Sequence, residues 1–168
     1  MRLTQIVLIL FLIFSASSMA IAGTFDDALR AGEAARVRGE FEVAAKSFGE
    51  ALVLAENGGE IADAQVGLGH IAYLKASYLD AIGHFRAAEK AATEAPDERR
   101  RAVALAYLGQ LYWRVGKIDD GEELLMEALS VFESLTDDAG RALAMRMLGR
   151  LHNGRANPRP DGIYSPNN

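Results

Sequence analysis

Residues 102–129 read AVALAYLGQLYWRVGKIDDGEELLMEAL, two helical patterns set back to back around a short break. In the first, Leu105, Leu108, Gly109, Tyr112 and Trp113 recur at spacings of three and four, one face of a 3.6-residue period. In the second, Leu124, Leu125, Ala128 and Leu129 do the same. Val115-Gly116-Lys117 separates them, and Gly116 suits a helix end that needs a positive φ. A helical hairpin of this kind buries one side of itself only. It needs neighbours of its own type.

The rest of the chain supplies them. Shifted by 40 residues, 62–88 falls on 102–128: Leu68-Gly69 on Leu108-Gly109, Ala72 on Tyr112, Ala81 on Gly121, Phe85 on Leu125 and Ala88 on Ala128. A shift of 37 brings Gly32, Ala35, Ala44, Phe48 and Ala51 onto Gly69, Ala72, Ala81, Phe85 and Ala88. A further shift of 40 finds Leu148-Gly149 and His152, a first helix with no second. The expected organisation is three hairpins, over about 25–58, 62–95 and 102–135, and a capping helix over 141–153.

Leu-Gly in the first helix, with Ala-x3-Phe-x2-Ala in the second, resembles the tetratricopeptide repeat. The middle copy carries the pattern best, in Leu68-Gly69, Ala72, Ala81, Phe85 and Ala88. The periods of 37 and 40 exceed the usual 34 and are similar to a longer-period branch of the family. The extra residues, at 56–61, 93–100 and 136–141, are expected to lengthen the second helices, the loops between hairpins, or both. The resemblance implies an all-α, right-handed superhelix whose first helices line a concave face. It also implies the groove residues. Counted onto this chain they are Leu29, Glu33 and Arg36, then Val66, His70, Tyr73 and Leu74, then Ala106, Gln110, Trp113 and Arg114, with Arg146 and Arg150 from the closing helix. Tyr73 and Trp113 occupy equivalent positions and form an aromatic centre if both face the groove; Trp113 also borders the core side, and the residues leave that choice open. The Lys/Asn set with which some members clamp a terminal carboxylate is absent.

Composition agrees with a helical, non-enzymatic chain. The 168 residues suit one domain, and Pro is confined to Pro96, Pro158, Pro160 and Pro166. A net charge of −5 without a basic block argues against a nucleic-acid partner. Without Cys there is no disulfide, thiol chemistry or Cys–zinc site. His70, His84 and His152 belong to separate helices and have no carboxylate or second His at metal-ligand spacing. Asp119-Asp120 and Glu122-Glu123 open a helix, where acids are expected on dipole grounds. No cofactor, metal or catalytic residue is expected.

The N-terminus bears on location. Arg2, the apolar run Ile6–Phe14 and the small residues up to Ala22 have the form of a signal peptide over residues 1–22. Cleavage is expected after Ala22, with Ala20 as the alternative and an uncleaved anchor as the competing reading. The short n-region looks bacterial, so export to the periplasm or beyond follows.

Several local expectations complete the reading. Thr24 caps the first helix, ahead of Asp26-Asp27. Gly32 is a close-packing position, and Asn57-Gly58-Gly59 stops a helix. Pro96 ends another, and Arg99-Arg100-Arg101 belong to a solvated first turn. Residues 136–140 form a turn, a final amphipathic helix runs from Arg141 to Leu151, and 154–168 read as a disordered tail. Two functions are compatible with all of this. One is a groove that binds a partner protein or peptide segment. The other is an assembly role, by self-association or by docking through the convex face or end helices.

Overall fold

Three residues, and never more, separate each helix from the next. The computed structural model describes residues 23–156, and the expected signal segment and the tail from 157 lie outside the described residues. Seven helices follow in order: α1 (Phe25–Val37), α2 (Phe41–Leu54), α3 (Gly58–Leu74), α4 (Tyr78–Glu94), α5 (Glu98–Arg114), α6 (Ile118–Ser134) and α7 (Asp138–Ala156). From α3 onward a helix begins every twenty residues, and α3 to α6 have 17 residues each. The extra residues of the long period therefore lengthen both helices of a hairpin and leave the loops unchanged. Links this short force antiparallel neighbours. The described residues form an all-α solenoid of three hairpins, α1–α2, α3–α4 and α5–α6, closed by α7.

Five of the six links share one device. The N–H groups of Glu40, Ser77, Asp97, Lys117 and Asp137 return to the carbonyls of Ala35, Ala72, Ala92, Tyr112 and Phe132 at 2.8–2.9 Å. This is the Schellman closure of a helix end. Gly39, Ala76, Gly116 and Thr136 take the required positive φ, at 76°, 59°, 87° and 51°. Gly116 serves as the sequence predicts. Ala76 and Thr136 do the same work with a Cβ in the way.

Side-chain caps mark the first helix of each unit. Thr24 accepts from the Asp27 N–H in a capping box. Asn57, Asp97 and Asp137 accept from the N–H groups of Glu60, Arg100 and Gly140 at 2.9–3.0 Å, so the forty-residue period is written in the caps. The second helices have no side-chain cap. Asn57-Gly58-Gly59 is thus the start of α3 rather than the stop of α2. Asn57 caps, and the first helical residue is glycine because a Cβ on Gly58 would lie 2.7 Å from the Ala91 carbonyl and the Ala95 methyl. Residues 136–140 are likewise not all turn. Asp137 caps α7 and Gly140 sits in its first turn, where a Cβ would strike the Phe132 ring. Gly154 to Ala156, expected in the tail, continue α7.

The hairpins close by setting glycine under a large side chain. A Cβ on Gly32 would meet the Phe48 ring at 2.7 Å, and one on Gly69 the Phe85 ring at 2.7 Å. In the third hairpin Leu125 stands in place of the ring, and the position of Ala44 and Ala81 is Gly121. There the backbones touch: a Cβ on Gly109 would come 2.7 Å from the Gly121 carbonyl, and one on Gly121 2.7 Å from that of Gly109. A smaller side chain and a second glycine together let α5 and α6 approach more closely. Ala44, Ala81, Phe48, Phe85 and Leu125 are all buried. Tyr112 is half-buried and turns outward, its hydroxyl accepting from Arg86 of α4. Gly149 has the right register, but no helix follows to cover it, and a Cβ there would meet open space. Ala144, Met147 and Leu151 of α7 are buried on the α5–α6 cluster.

These contacts set opposite expectations for chemically similar changes. Gly69→Leu is expected to lower stability by about 1–3 kcal/mol through overpacking. Gly149→Ala is expected to raise it by about 0.5–1 kcal/mol, since helix propensity improves and nothing is struck. Urea unfolding followed by circular dichroism measures both. A Gly69→Leu protein as stable as the parent would mean that the register is wrong. By the same assay Thr136→Gly should gain about 0.5–1 kcal/mol by relieving a β-branched residue at positive φ.

Candidate functional site

The first helices of successive hairpins touch one another, α1 to α3, α3 to α5 and α5 to α7, whereas α2, α4 and α6 make no mutual contacts. Such an array bends with α1, α3, α5 and α7 inside. Two cavities lie along that inner face. The larger, of about 570 Å³, is lined mainly by α1, α3 and α5 and contains Glu33, Asp63, Val66 and Val103. The smaller, of about 190 Å³, lies beside α7 and contains Tyr73, Gln110, Arg146 and Arg150. Arg36, His70 and Tyr107 border both, so the two form one groove. Arg36 of α1 and Arg150 of α7 line the same small cavity, which shows how far the array curls.

An aromatic set forms the floor between them. The Tyr107 ring stacks on Phe85 at 5.2 Å between centroids, and the His70 ring meets Tyr107 edge-on at 4.2 Å. Burial pushes the Tyr107 hydroxyl above its ordinary range. It also pushes His70 down to about 4, helped by the Arg36 charge and opposed by Glu33. His70 is therefore neutral near pH 7, and among the described residues its ring nitrogens bond to no protein group. Gln110 donates to the Tyr73 hydroxyl at 3.4 Å. Arg36 forks onto Glu33, whose carboxyl it holds below the usual range.

The arginine triplet has a different role from the one its composition suggests. Arg100 reaches Asp63 of α3 at 2.8 Å and Asp97 at 2.6 Å, Arg99 reaches Asp137 at 2.8 Å, and Arg101 reaches Glu127 of α6 at 2.6 Å. All three lie in the first turn of α5, as expected, with Arg99 exposed, and their side chains reach acids of neighbouring segments. They tie the leading ends of α3, α5 and α7 in register along the groove rim. Half-exposed pairs of this kind contribute little singly, about 1 kcal/mol or less, but a network fixes geometry.

Of the residues expected in the groove, Glu33, Arg36, His70, Tyr73, Gln110, Arg146 and Arg150 border these cavities. Trp113 and Arg114 do not. Trp113 packs on the α5–α7 cluster, and a Cβ on Gly154 would lie 2.5 Å from its ring. Of the two places left open for Trp113, the side toward α7 is where it lies. Arg114 stands 5.8 Å from the Trp113 ring and 5.9 Å from Tyr73 and Tyr78, a set of cation–π contacts outside the cavities. Ala106, counted as a groove position, is fully buried. The reason is one of register: in α5 the groove line runs Val103–Tyr107–Gln110. Tyr107, absent from the expected set, is the centre of the site. Its signal was the spacing of four and three to Val103 and Gln110.

Residues 60–133, from the first turn of α3 nearly to the end of α6, match the family model of the tetratricopeptide repeat. Over its second and third hairpins the chain is therefore similar to that repeat, and the described architecture is that of a tetratricopeptide-like solenoid with a closing helix. No curated protein matches the sequence. Among the described residues no three His, Asp or Glu side chains gather as a metal site would require. Helical repeats of this type are consistent with non-catalytic scaffolds.

Two measurements follow. His70 is neutral in the fold and titrates near its ordinary value when unfolded. Unfolded chains therefore bind the extra proton between pH 6.5 and about 4. Stability should fall on acidification across that window, by on the order of 2–3 kcal/mol, and His70→Gln should flatten this part of the pH–stability curve. Trp113→Ala should cost about 2 kcal/mol and speed amide exchange in the last turns of α7, as a packing residue would.

Proposed function

We propose that the protein is a non-enzymatic interaction scaffold that holds an extended segment of a partner protein along the α1–α3–α5–α7 groove. The observation that carries this reading is the continuity of the two cavities across four helices, with apolar and aromatic side chains on the floor and polar groups at the rim. That is the anatomy of a protein-binding surface. We place it outside the cytoplasm of a bacterium. Arg2, the apolar run from Ile6 to Phe14 and the small residues to Ala22 support export through a cleaved signal segment.

A second reading has its own support. Val53 and Leu79 are 85% and 83% exposed on the second helices, and Val37 is 72% exposed at the end of α1. Apolar side chains so placed favour a role in assembly, through contact between copies or docking by the outer surface.

A photo-crosslinking residue separates the two. Placed at Gln110 in the groove it should capture a partner from the envelope fraction, and placed at Gly83, in open space on α4, it should not. Capture from Gly83 alone, with a dimer or larger species by light scattering, would establish the assembly reading instead. The intact mass of the native protein should correspond to a chain beginning at Gly23, or at Ile21 for the upstream site. Retention of residues 1–22 would overturn cleavage.

A further inference from the structure

Most of this chain's arginines are spoken for. Arg30, Arg36, Arg38, Arg99, Arg100, Arg101, Arg141 and Arg155 each pair with a carboxylate. Arg86 bonds the Tyr112 hydroxyl, and Arg114 lies among aromatic rings. Arg146 and Arg150 are different: among the described residues they pair with nothing, both are exposed, and both line the small cavity. They sit one turn apart on α7 at i and i+4, in a chain whose net charge is −5. Among the described residues, eight arginines are paired with carboxylates and two more are held by aromatic side chains, while these two stand bare at one end of the groove.

The cavity they border sets the scale of what enters. Its volume is about 190 Å³. A pocket for a drug-sized ligand is about 300–1,000 Å³, so this one takes a single side chain. Its apolar walls are Phe85, Leu111 and Met147, its aromatic edge is Tyr107, and its polar groups are the Tyr73 hydroxyl and the Gln110 amide. The remainder of the groove is already neutralised by Glu33–Arg36 and by Arg100 with Asp63 and Asp97. The free positive charge is thus confined to the α7 end. The overall negative charge disfavours a long polyanion such as RNA and permits a short acidic cluster met locally.

Resting on the groove reading above, we infer that the partner segment is an acidic peptide with one aromatic anchor: the anchor ring enters the small cavity against Tyr107, and Asp or Glu side chains beside it pair with Arg146 and Arg150. The anchor supplies affinity, and the arginines supply orientation and partner choice. The segment has a polarity, with its acidic part over α7 and a less charged part over α1 and α3.

The test is a random twelve-residue phage-displayed library panned on the full chain. Selected sequences should carry one aromatic residue with two or more Asp or Glu within four positions. A fluorescein-labelled peptide of the leading sequence should lose about tenfold or more in affinity to an Arg146→Glu/Arg150→Glu protein. It should lose about as much when its aromatic residue becomes Ala, and an Arg86→Glu protein should bind it unchanged. Binding should weaken as salt rises. The double variant changes exposed residues only, and circular dichroism checks its fold. Selection of neutral or basic sequences, no selection at all, equal binding by the double variant, or displacement of the peptide by polyuridylate at equal charge would each overturn the inference. Capture through Gln110 that survives Arg146→Glu/Arg150→Glu would retire the acidic pairing and keep the groove. Loss of Gln110 capture in the parent would retire both.

Discussion

The contact between a glycine in one helix and a large side chain in the next is the constraint on which this structure depends. Gly32 lies under Phe48 and Gly69 under Phe85, at distances that leave no room for a methyl group. Each contact sets the separation of two helices in a hairpin and so the angle at which the next hairpin can join. Phe48 goes further: a Cβ on Gly67 of the following hairpin would lie 2.5 Å from its ring. One phenylalanine thus rests on glycines of two successive units and holds them in step. Where the ring shrinks to Leu125, glycine replaces alanine opposite, and the gap closes by movement of the backbone. Close packing is kept across the contact although the volume of its members falls.

That spacing places the inner helices where a groove can form. Tyr107 reaches His70 and Phe85 only because α5 seats beside α3 in this register. The rim pairs of Arg99 and Arg100 hold the leading ends of α3, α5 and α7 level. The groove floor is therefore built from the core side of the same helices that carry the rim. Its aromatic residues serve stability and lining at once. The arginines of α7 carry no such double duty: both are exposed and serve no packing contact.

Much of the fold was legible in the residues, because glycine and ring positions recur in phase at 32, 69 and 109 and at 48 and 85. Gly116 marked its link correctly, and the inner face of α7 read true in Ala144, Met147 and Leu151. Helix starts were harder to read. Asn57-Gly58-Gly59 and the Gly140 region carry residues common in turns, yet these glycines answer to neighbouring backbone and rings that local sequence does not display. The site was legible where a family count and the true helical register coincide, as for His70, Tyr73 and Gln110. In α5 the same count falls on Ala106 and Trp113, which do not border the cavities, whereas Tyr107 does. Nothing local distinguishes an aromatic residue that lines a cleft from one pressed on the next helix; α7 makes that distinction for Trp113.

The three-residue links have a consequence for how the chain reaches this state. Every helix packs chiefly on the one before and the one after, and the farthest contacts join alternate helices. Loop closure therefore costs little at each step, and contact order is low. Low contact order of this kind favours zipping outward from a seed, and α3 to α6, the long helices, offer the most local contacts to begin from. The shorter α1 and α2 add last and leave first. Arg36 and Glu33 reside on that outermost pair, so the groove is completed by the least cooperative part of the molecule. An occupant that spans from α7 to α1 would act as a clasp, tightening the solenoid along its length as it binds.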